Sequence, residues 1–315
     1  MKTTIGTDIR KAKELLEKGE TIAMPTETVY GLAANGLDQD ALAKIFEAKN
    51  RPKFDPLILH IGKLEQIEEL VLDVPEILKI LAHEFWPGPL TFVLKKNSIV
   101  PELATAGMDT VGIRMPRHPM AVELLNLIDF PLAAPSANPF GYVSPTSANH
   151  VYRQLKGRIP YILDGGTSIV GLESTILDLT EAQPKILRKG GIPVENIERV
   201  VGRLEITEES SSNPKAPGML VSHYAPLKPL ILGNIKNLLA DYEDKEIRVL
   251  GFKSTYGQKG YVLSESGDLT EAAQNFFAFL HLLDSEEAEV IIAEEVPNKG
   301  LGKAINDRLK RAAAN

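Results

Sequence analysis

The sequence predicts an α/β fold in two parts. Short apolar runs of strand length alternate with amphipathic helical segments along the whole chain. Polar and cationic residues gather where those runs end, which is where open α/β sheets place their ligand sites. The alternation is interrupted by the acidic, serine-rich and proline-containing stretch 204–217, LEITEESSSNPKAP, which reads as a linker.

In order, residues 7–18 form an amphipathic helix with Ile9, Ala12, Leu15 and Leu16 on one face, Thr7 as its cap and Gly19 as its stop. The apolar run 21–24 is a strand halted by Pro25, and a turn over 25–31 presents Thr26, Glu27, Thr28, Tyr30 and Gly31. Asp38 caps a helix over 38–48 with apolar Ala41, Leu42, Ile45 and Phe46. A basic, proline-punctuated loop, Lys49-Asn50-Arg51-Pro52-Lys53, leads to a strand over 57–61 that carries His60.

Helical patterns follow at 63–70 and 75–84, and the rigid turn Trp86-Pro87-Gly88-Pro89 delivers a strand over 90–94. A strand over 110–114 ends in Arg114, a helix covers 119–128, and a strand over 131–134 ends in Pro135-Ser136-Ala137-Asn138-Pro139. A helix starts near Pro145, a strand covers 161–164, and 173–178 and 185–188 form a strand pair ended by Lys189-Gly190-Gly191. Beyond the linker, strands at 230–232, 247–250, 261–263 and 290–292 alternate with helices over 268–283 and 301–313, which suits a small parallel sheet. The expected division is therefore 1–203, a linker and possible lid over 204–227, and 228–315.

Composition narrows the function. The 315 residues include no cysteine, so disulfides, a thiolate nucleophile, zinc fingers and iron–sulfur clusters are excluded, in keeping with a cytoplasmic protein. No apolar run approaches the roughly 20 residues that span a bilayer, and MKTTIGTDIRKAKELL lacks the apolar core of a secretion signal. The net charge is −7, with −3 in residues 1–200 and −4 in the remainder. Neither part is basic, which disfavours an extended nucleic-acid surface and requires any anion site to be built from a few focused cations. The six histidines are scattered without metal-ligand spacing, and no phosphate loop, dinucleotide fingerprint or nucleophile elbow occurs.

The candidate residues each carry a plain structural reading beside a functional one. Lys49, Arg51 and Lys53 are either solvated loop charges or, stiffened by Pro52, a mount for polyphosphate. His60 is a half-buried strand-end histidine or a site residue. Arg114, at the end of an apolar strand, needs an anionic partner: a carboxylate such as Glu27 or Glu173, or a substrate carboxylate or phosphate. Ser136 and Asn138, the stretch Gly171–Thr175 and Arg188 add further polar strand ends.

Together, PTETVYGL at 25–32, K-x-R-P at 49–52, PL-x-x-H at 56–60, WPGPLT at 86–91, VGIRMP at 111–116, PSANP at 135–139, ST at 174–175 and RKGG at 188–191 closely resemble the YrdC-domain family. The region after HYAP at 223–226 resembles the second domain of that family's long form, the L-threonylcarbamoyladenylate synthases, so the resemblance covers essentially the whole chain. It implies a YrdC-like twisted mixed sheet around a concave cavity, plus a small Rossmann-like C-terminal domain. It further implies condensation of L-threonine, bicarbonate and ATP to L-threonylcarbamoyl-AMP with release of pyrophosphate. A downstream transferase complex would then modify tRNA, with transient tRNA contact possible and no membrane partner.

By motif, the resemblance places Arg51, Asp55, Thr110, Asn138, Thr146, Arg188 and Tyr224 on the ATP side. Thr28, His60, Arg114, Ser136 and Ser174 fall on the threonine side, and Lys49 and Arg51 are the catalytic cations. Mg²⁺ is expected to ride on the ATP phosphates, with no metal held by the protein itself. The alternatives are a double-stranded RNA-binding module and a nucleotide-binding regulator without catalysis. A hydrogenase-maturation carbamoyl transferase would need zinc-finger cysteines, which are missing.

Overall fold

Apolar residues at period two decide how the first sheet is covered. In a computed structural model describing residues 1–52, 54–207, 217 and 223–314, Ala23, Leu32 and Ala34 join one core, whereas Ile22, Met24 and Ala33 join another. The first core is packed by Leu42, Ile45 and Phe46 of the helix Gln39–Lys49, Leu78 and Leu81 of Glu76–Phe85, and Val151 and Leu155 of Ala148–Leu155. The second is packed by Ala12 and Leu16 of the helix Ile9–Glu17 and by Leu124 and Leu125 of Pro119–Asn126.

The strands of this sheet are β1 (Thr4–Gly6), β2 (Ile22–Met24), β3 (Gly31–Asn35), β4 (Ile58–His60), β5 (Leu90–Lys95) and β6 (Thr110–Arg114). They are followed by β7 (Leu132–Ala133), β8 (Tyr161–Leu163), β9 (Thr175–Asp178), β10 (Lys185–Arg188) and β11 (Glu205–Ile206). Their spatial order is β1-β8-β2-β3-β7-β4-β6-β5-β9-β10-β11, with parallel and antiparallel pairs mixed. The large twisted mixed sheet is thus as expected. β11 pairs with β10, so the sheet runs past residue 203.

The register builds a polar row. His60 of β4 lies beside Arg114 of β6, and Arg114 lies beside Thr91 of β5. Ser174, just before β9, shares a 2.7 Å hydrogen bond with Thr91. Ile58, Val93, Ile176 and Leu187 form a small apolar cluster of their own beside this row.

The second sheet is entirely parallel and has four strands: β12 (Leu230–Leu232), β13 (Ile247–Gly251), β14 (Gly260–Val262) and β15 (Val290–Ala293), in the order β12-β15-β13-β14. The helices Leu269–Ser285 and Gly302–Ala312 cover it through Phe276, Phe277, Leu280, Ile305 and Leu309. Val29, Val143 and Leu172 from the first part and Tyr224 from the linker join this same core. Gly171, at φ +75°, permits the approach: a Cβ there would stand 2.3 Å from the Ala273 carbonyl oxygen.

Several local expectations are corrected. The first helix is capped by Asp8, whose carboxylate accepts from the Lys11 N–H, and not by Thr7. The helix expected near Pro145 begins at Ala148, because the Ser147 hydroxyl accepts from the His150 N–H and caps it there. Gly31, expected to end the turn over 25–31, instead opens the strand Gly31–Asn35 between β2 and β7, for which no element was expected.

Candidate active site

The site begins with the turn after β2. The Thr26 hydroxyl donates to the Val29 carbonyl at 2.6 Å and accepts from the Thr28 and Val29 N–H groups, a local turn that fixes Thr28 and Glu27. Glu27 reaches Arg114: Oε1 accepts from Nη2 at 2.6 Å, and Oε2 accepts from the Arg117 N–H. Burial alone would raise the Glu27 carboxyl; the Arg114 charge and hydrogen bond, with the Arg117 N–H, outweigh it and hold the carboxyl below the usual range. Arg114 also donates from Nη1 to the Thr28 hydroxyl and from Nε to the Gly88 carbonyl.

His60 is 3% exposed, and its Nδ1 lies 3.2 Å from the Ile58 carbonyl oxygen. Burial, then the Arg114 charge, push its pKa down to about 3, so the imidazole is neutral at physiological pH. With Nδ1–H donating to that carbonyl, Nε2 is left as an acceptor.

The cations of the basic motif take separate tasks. Arg51 donates to the Asp55 and Pro56 carbonyls and meets the Asp55 carboxylate at 2.9 Å, a contact of charge without hydrogen-bond alignment. Lys49 turns away: its fully buried Nζ donates to the backbone carbonyls of Ser136 and Asn138. Burial, then the nearby Arg51 charge, lower its pKa far below that of a free lysine. Lys49 therefore holds the Ser136–Asn138 loop in place. Lys53 lies outside the described residues.

Arg188 donates from Nε and Nη2 to the Ser174 carbonyl, from Nη2 to the Ser174 hydroxyl, and from Nη1 to the Pro217 carbonyl. Gly190 allows the strands to meet here, since a Cβ would stand 2.4 Å from the Glu173 carbonyl oxygen.

These groups surround one cavity of about 50 Å³. Of the residues predicted from sequence, Thr28, Arg51, His60, Arg114, Ser136, Ser174, Arg188 and Tyr224 line it. Asp55, Asn138 and Thr146 lie behind it: Asp55 pairs with Arg51, Asn138 Nδ2 donates to the Pro139 and Tyr142 carbonyls, and Thr146 Oγ1 lies 3.3 Å from His150 Nδ1. Thr110 lies in a neighbouring cleft with Pro56, Met108 and Gly112; the two spaces share Ile58 and Pro217 as walls.

Pro217, His223 and Tyr224 form one wall of the cavity. The rest of the proposed lid between Thr207 and His223 lies outside the described residues. Tyr224 adopts φ +66°, a conformation uncommon for a residue with a side chain, and burial pushes its hydroxyl up to about 12. Tyr224 Oη, His223 Nδ1, Asn138 Oδ1 and Arg308 Nη2 are buried without a hydrogen-bond partner among the described residues.

Glu173, Ser144 and Arg308 did not emerge as site residues from the sequence. Glu173 lines the cavity, accepts from the Ser144 hydroxyl at 2.6 Å, and pairs with Arg308 of the last helix at 3.2 Å. The signal for Arg308 was its place in the apolar stripe Ala304, Ile305, Leu309 and Ala312, where a charge needs a buried partner. Among the described residues no group of three or more His, Cys, Asp or Glu side chains is placed to hold a metal ion, and no helix is long and apolar enough to cross a membrane.

A row of hydroxyls, a neutral imidazole and an oriented guanidinium thus shares one cavity with two further arginines. Such a site can hold a small zwitterion against a polyanion. Known proteins bear on this geometry. The Sua5, YciO and YrdC family model, described as telomere recombination, matches residues 14–190, and the threonylcarbamoyl-AMP synthase C-terminal domain model matches residues 192–314. The chain is 44% identical to threonylcarbamoyl-AMP synthase of Pyrococcus abyssi over 97% of its length and 94% of that protein. It is 42% identical to threonylcarbamoyl-AMP synthase of Bacillus subtilis over 97% of its length and 92% of that protein. A crystal structure of P. abyssi Sua5 complexed with L-threonine superposes with a TM-score of 0.92 at 43% identity, covering 99% of this chain and 97% of that one. The crystal structure of Escherichia coli YciO shares the fold alone, with a TM-score of 0.52 over 60% of this chain. Matched by both family models and by relatives along nearly its full length, the chain belongs to the Sua5/YciO/YrdC family in its two-domain, threonylcarbamoyl-AMP synthase form.

Proposed function

We propose that this chain condenses L-threonine, bicarbonate and MgATP into L-threonylcarbamoyl-AMP, releasing water and pyrophosphate. The observation that supports the reading is that Thr28, His60, Arg114, Arg51 and Arg188 line one cavity. In this reading the threonine carboxylate lies against Arg114 and Thr28, and the neutral His60 accepts a hydrogen bond from the substrate. The threonine amine attacks the bicarbonate carbon and water leaves. An oxygen of the resulting carbamate attacks the α-phosphorus of ATP, and the bond to pyrophosphate breaks. All the reacting partners are anionic at this stage, so the protein's task is alignment and charge neutralisation.

Arg51 and Arg188 take the phosphate charge, with Asp55 orienting Arg51 and Lys49 fixing the Ser136–Asn138 loop beneath it. Ser136 and Ser174 supply hydroxyls to the amino acid; Thr110, Asn138 and Thr146 shape the nucleotide end. Mg²⁺ enters as part of the substrate, on the ATP phosphates. The cavity of about 50 Å³ is far below the roughly 300–1,000 Å³ of ordinary ligand sites. In this reading the wall made by Pro217, His223 and Tyr224 moves to admit both substrates, and the segment 204–227 beyond the sheet-paired Glu205–Ile206 acts as the lid. Once closed, it keeps water from the labile carbamate.

The division into a catalytic unit over 1–203 and an accessory unit over 228–315 belongs to the same proposal. So do a cytoplasmic location and delivery of the product to a tRNA-modifying transferase complex. The test is pyrophosphate release from ATP with threonine and bicarbonate omitted in turn. The reading predicts release only when both are present; release indifferent to both omissions would overturn it.

A further inference from the structure

The site contains a charge that a phosphate-binding cavity should avoid. Glu173 lines it, and its carboxylate shares that wall with Arg188, whose guanidinium is anchored on the adjacent Ser174. An unpaired carboxylate there would repel ATP and would offer Arg188 an internal partner in place of phosphate.

The second domain supplies the counter-charge. Arg308, in the helix Gly302–Ala312, is 0% exposed, the largest fully buried side chain described. Its Nε meets Glu173 Oε2 at 3.2 Å, its Nη1 donates to the Lys189 carbonyl at 2.6 Å, and its guanidinium lies 5.5 Å from the centre of the Tyr224 ring. Arg308 thus touches three pieces of the site at once: the Glu173 wall, the Lys189 turn after β10, and Tyr224 of the linker.

We propose that Arg308 is a positioning residue for the nucleotide: from the second domain it neutralises Glu173 and so keeps Arg188 available to ATP phosphates. The second domain then acts in the reaction as the carrier of this charge, and its docking sets how well the cavity accepts a polyanion. The inference rests on the ATP reading above.

Five variants and the wild type test it: Arg308→Met, Arg308→Lys, Glu173→Gln, Arg308→Met combined with Glu173→Gln, and Arg188→Ala as the reference for lost phosphate binding. Thermal melts check folding, calorimetric titration with MgATP gives affinity, and pyrophosphate release gives kcat and KM for ATP and for threonine. Arg308→Met should weaken ATP binding about tenfold or more, the scale of stranding a buried charge beside a ligand, with KM for threonine changed far less. Adding Glu173→Gln should restore most of the ATP affinity, which a loss of packing alone would not permit. Arg308→Lys, which keeps the charge, should retain more affinity than Arg308→Met.

If Arg308→Met does not fold, the double variant, which strands no charge, still decides the matter. A folded double variant that binds ATP as poorly as a protein lacking Arg188 overturns the proposal. So does an Arg308→Met protein that binds ATP like the wild type. Failure of the wild type itself to bind ATP would instead sink the nucleotide reading, which keeps the two failures distinct.

Discussion

Arg114 Nη2 and Glu27 Oε1 stand 2.6 Å apart, both side chains almost fully buried, with Arg114 lining the cavity. The pair answers which of its two possible anions Arg114 meets within the protein, and it does so without exhausting the guanidinium. Nε and Nη1 also donate, to Gly88 and Thr28, but each terminal nitrogen carries two hydrogens and makes one protein hydrogen bond. Glu27 therefore aims Arg114, and the remaining hydrogens stay available to a carboxylate.

Removing the aiming partner strands a buried guanidinium. Glu27→Ala should destabilise the fold by about 3–5 kcal/mol and raise KM for threonine, because the clamp loses its orientation. Denaturant unfolding monitored through Trp86, together with threonine titration, checks both. A variant as stable as the wild type would show that the pair contributes nothing net.

Arg51 presents the converse problem. It faces the cavity but also neutralises Asp55, which is 0% exposed. Arg51→Ala should abolish threonine-dependent pyrophosphate release and also lower stability by about 3–5 kcal/mol, since a buried carboxylate is left behind. Asp55→Asn placed in the same chain should recover stability without recovering activity. Recovery of both would show that Arg51 serves only to balance Asp55.

Lys49→Met should behave differently from Arg51→Ala. It takes the donor from the Asn138 carbonyl and leaves the Ser136 carbonyl with the Asn138 N–H alone, and one buried acceptor left unpaired costs about 1–3 kcal/mol. Residual activity at saturating ATP is expected once stability is restored by low temperature. A Lys49→Met protein that is fully stable yet inactive would place Lys49 in direct contact with substrate.

His60 gives a pH dependence with a definite sign. Its folded pKa of about 3 lies below the ordinary 6.5, so between these values the unfolded chain holds a proton that the folded chain does not. Its contribution to stability is complete above about pH 6.5 and is lost as pH falls towards 3, at about 1.4 kcal/mol per pH unit. His223 is depressed in the same direction by burial and then by Arg51, Lys49 and Arg188. Denaturant midpoints taken between about pH 7 and 4.5 should fall more steeply for the wild type than for His60→Asn. Parallel falls in the two proteins would mean that His60 is not buried in its neutral form.

What the sequence made legible follows from chain distance. His60, Arg114 and Arg188 end strands and Ser174 stands just before one, so local apolar patterning singled them out; Thr28, in the turn after β2, was marked by the PTETVYGL motif, and the fold brings all five to one cavity. The strand Gly31–Asn35, GLAAN, was missed because its small residues carry no β-branched or aromatic signal; its pairing with β2 and β7 makes it a strand. The Arg308–Glu173 pair spans 135 residues and crosses from one sheet to the other, so neither periodicity nor motif spacing could join them. Lys49 shows a further limit: sequence marks a cation near a site, while only the fold shows that this one is tied to backbone carbonyls.

The proposed reaction joins threonine, bicarbonate and ATP in one cavity. Incubating the protein with MgATP, L-threonine and isotopically labelled bicarbonate, followed by mass spectrometry, tests this. The expected product is an L-threonylcarbamoyl-AMP ion carrying the label at its carbamoyl carbon, formed together with pyrophosphate in equal amount. ATP consumed to AMP or ADP with no labelled adduct, in a protein shown to be folded, would contradict it.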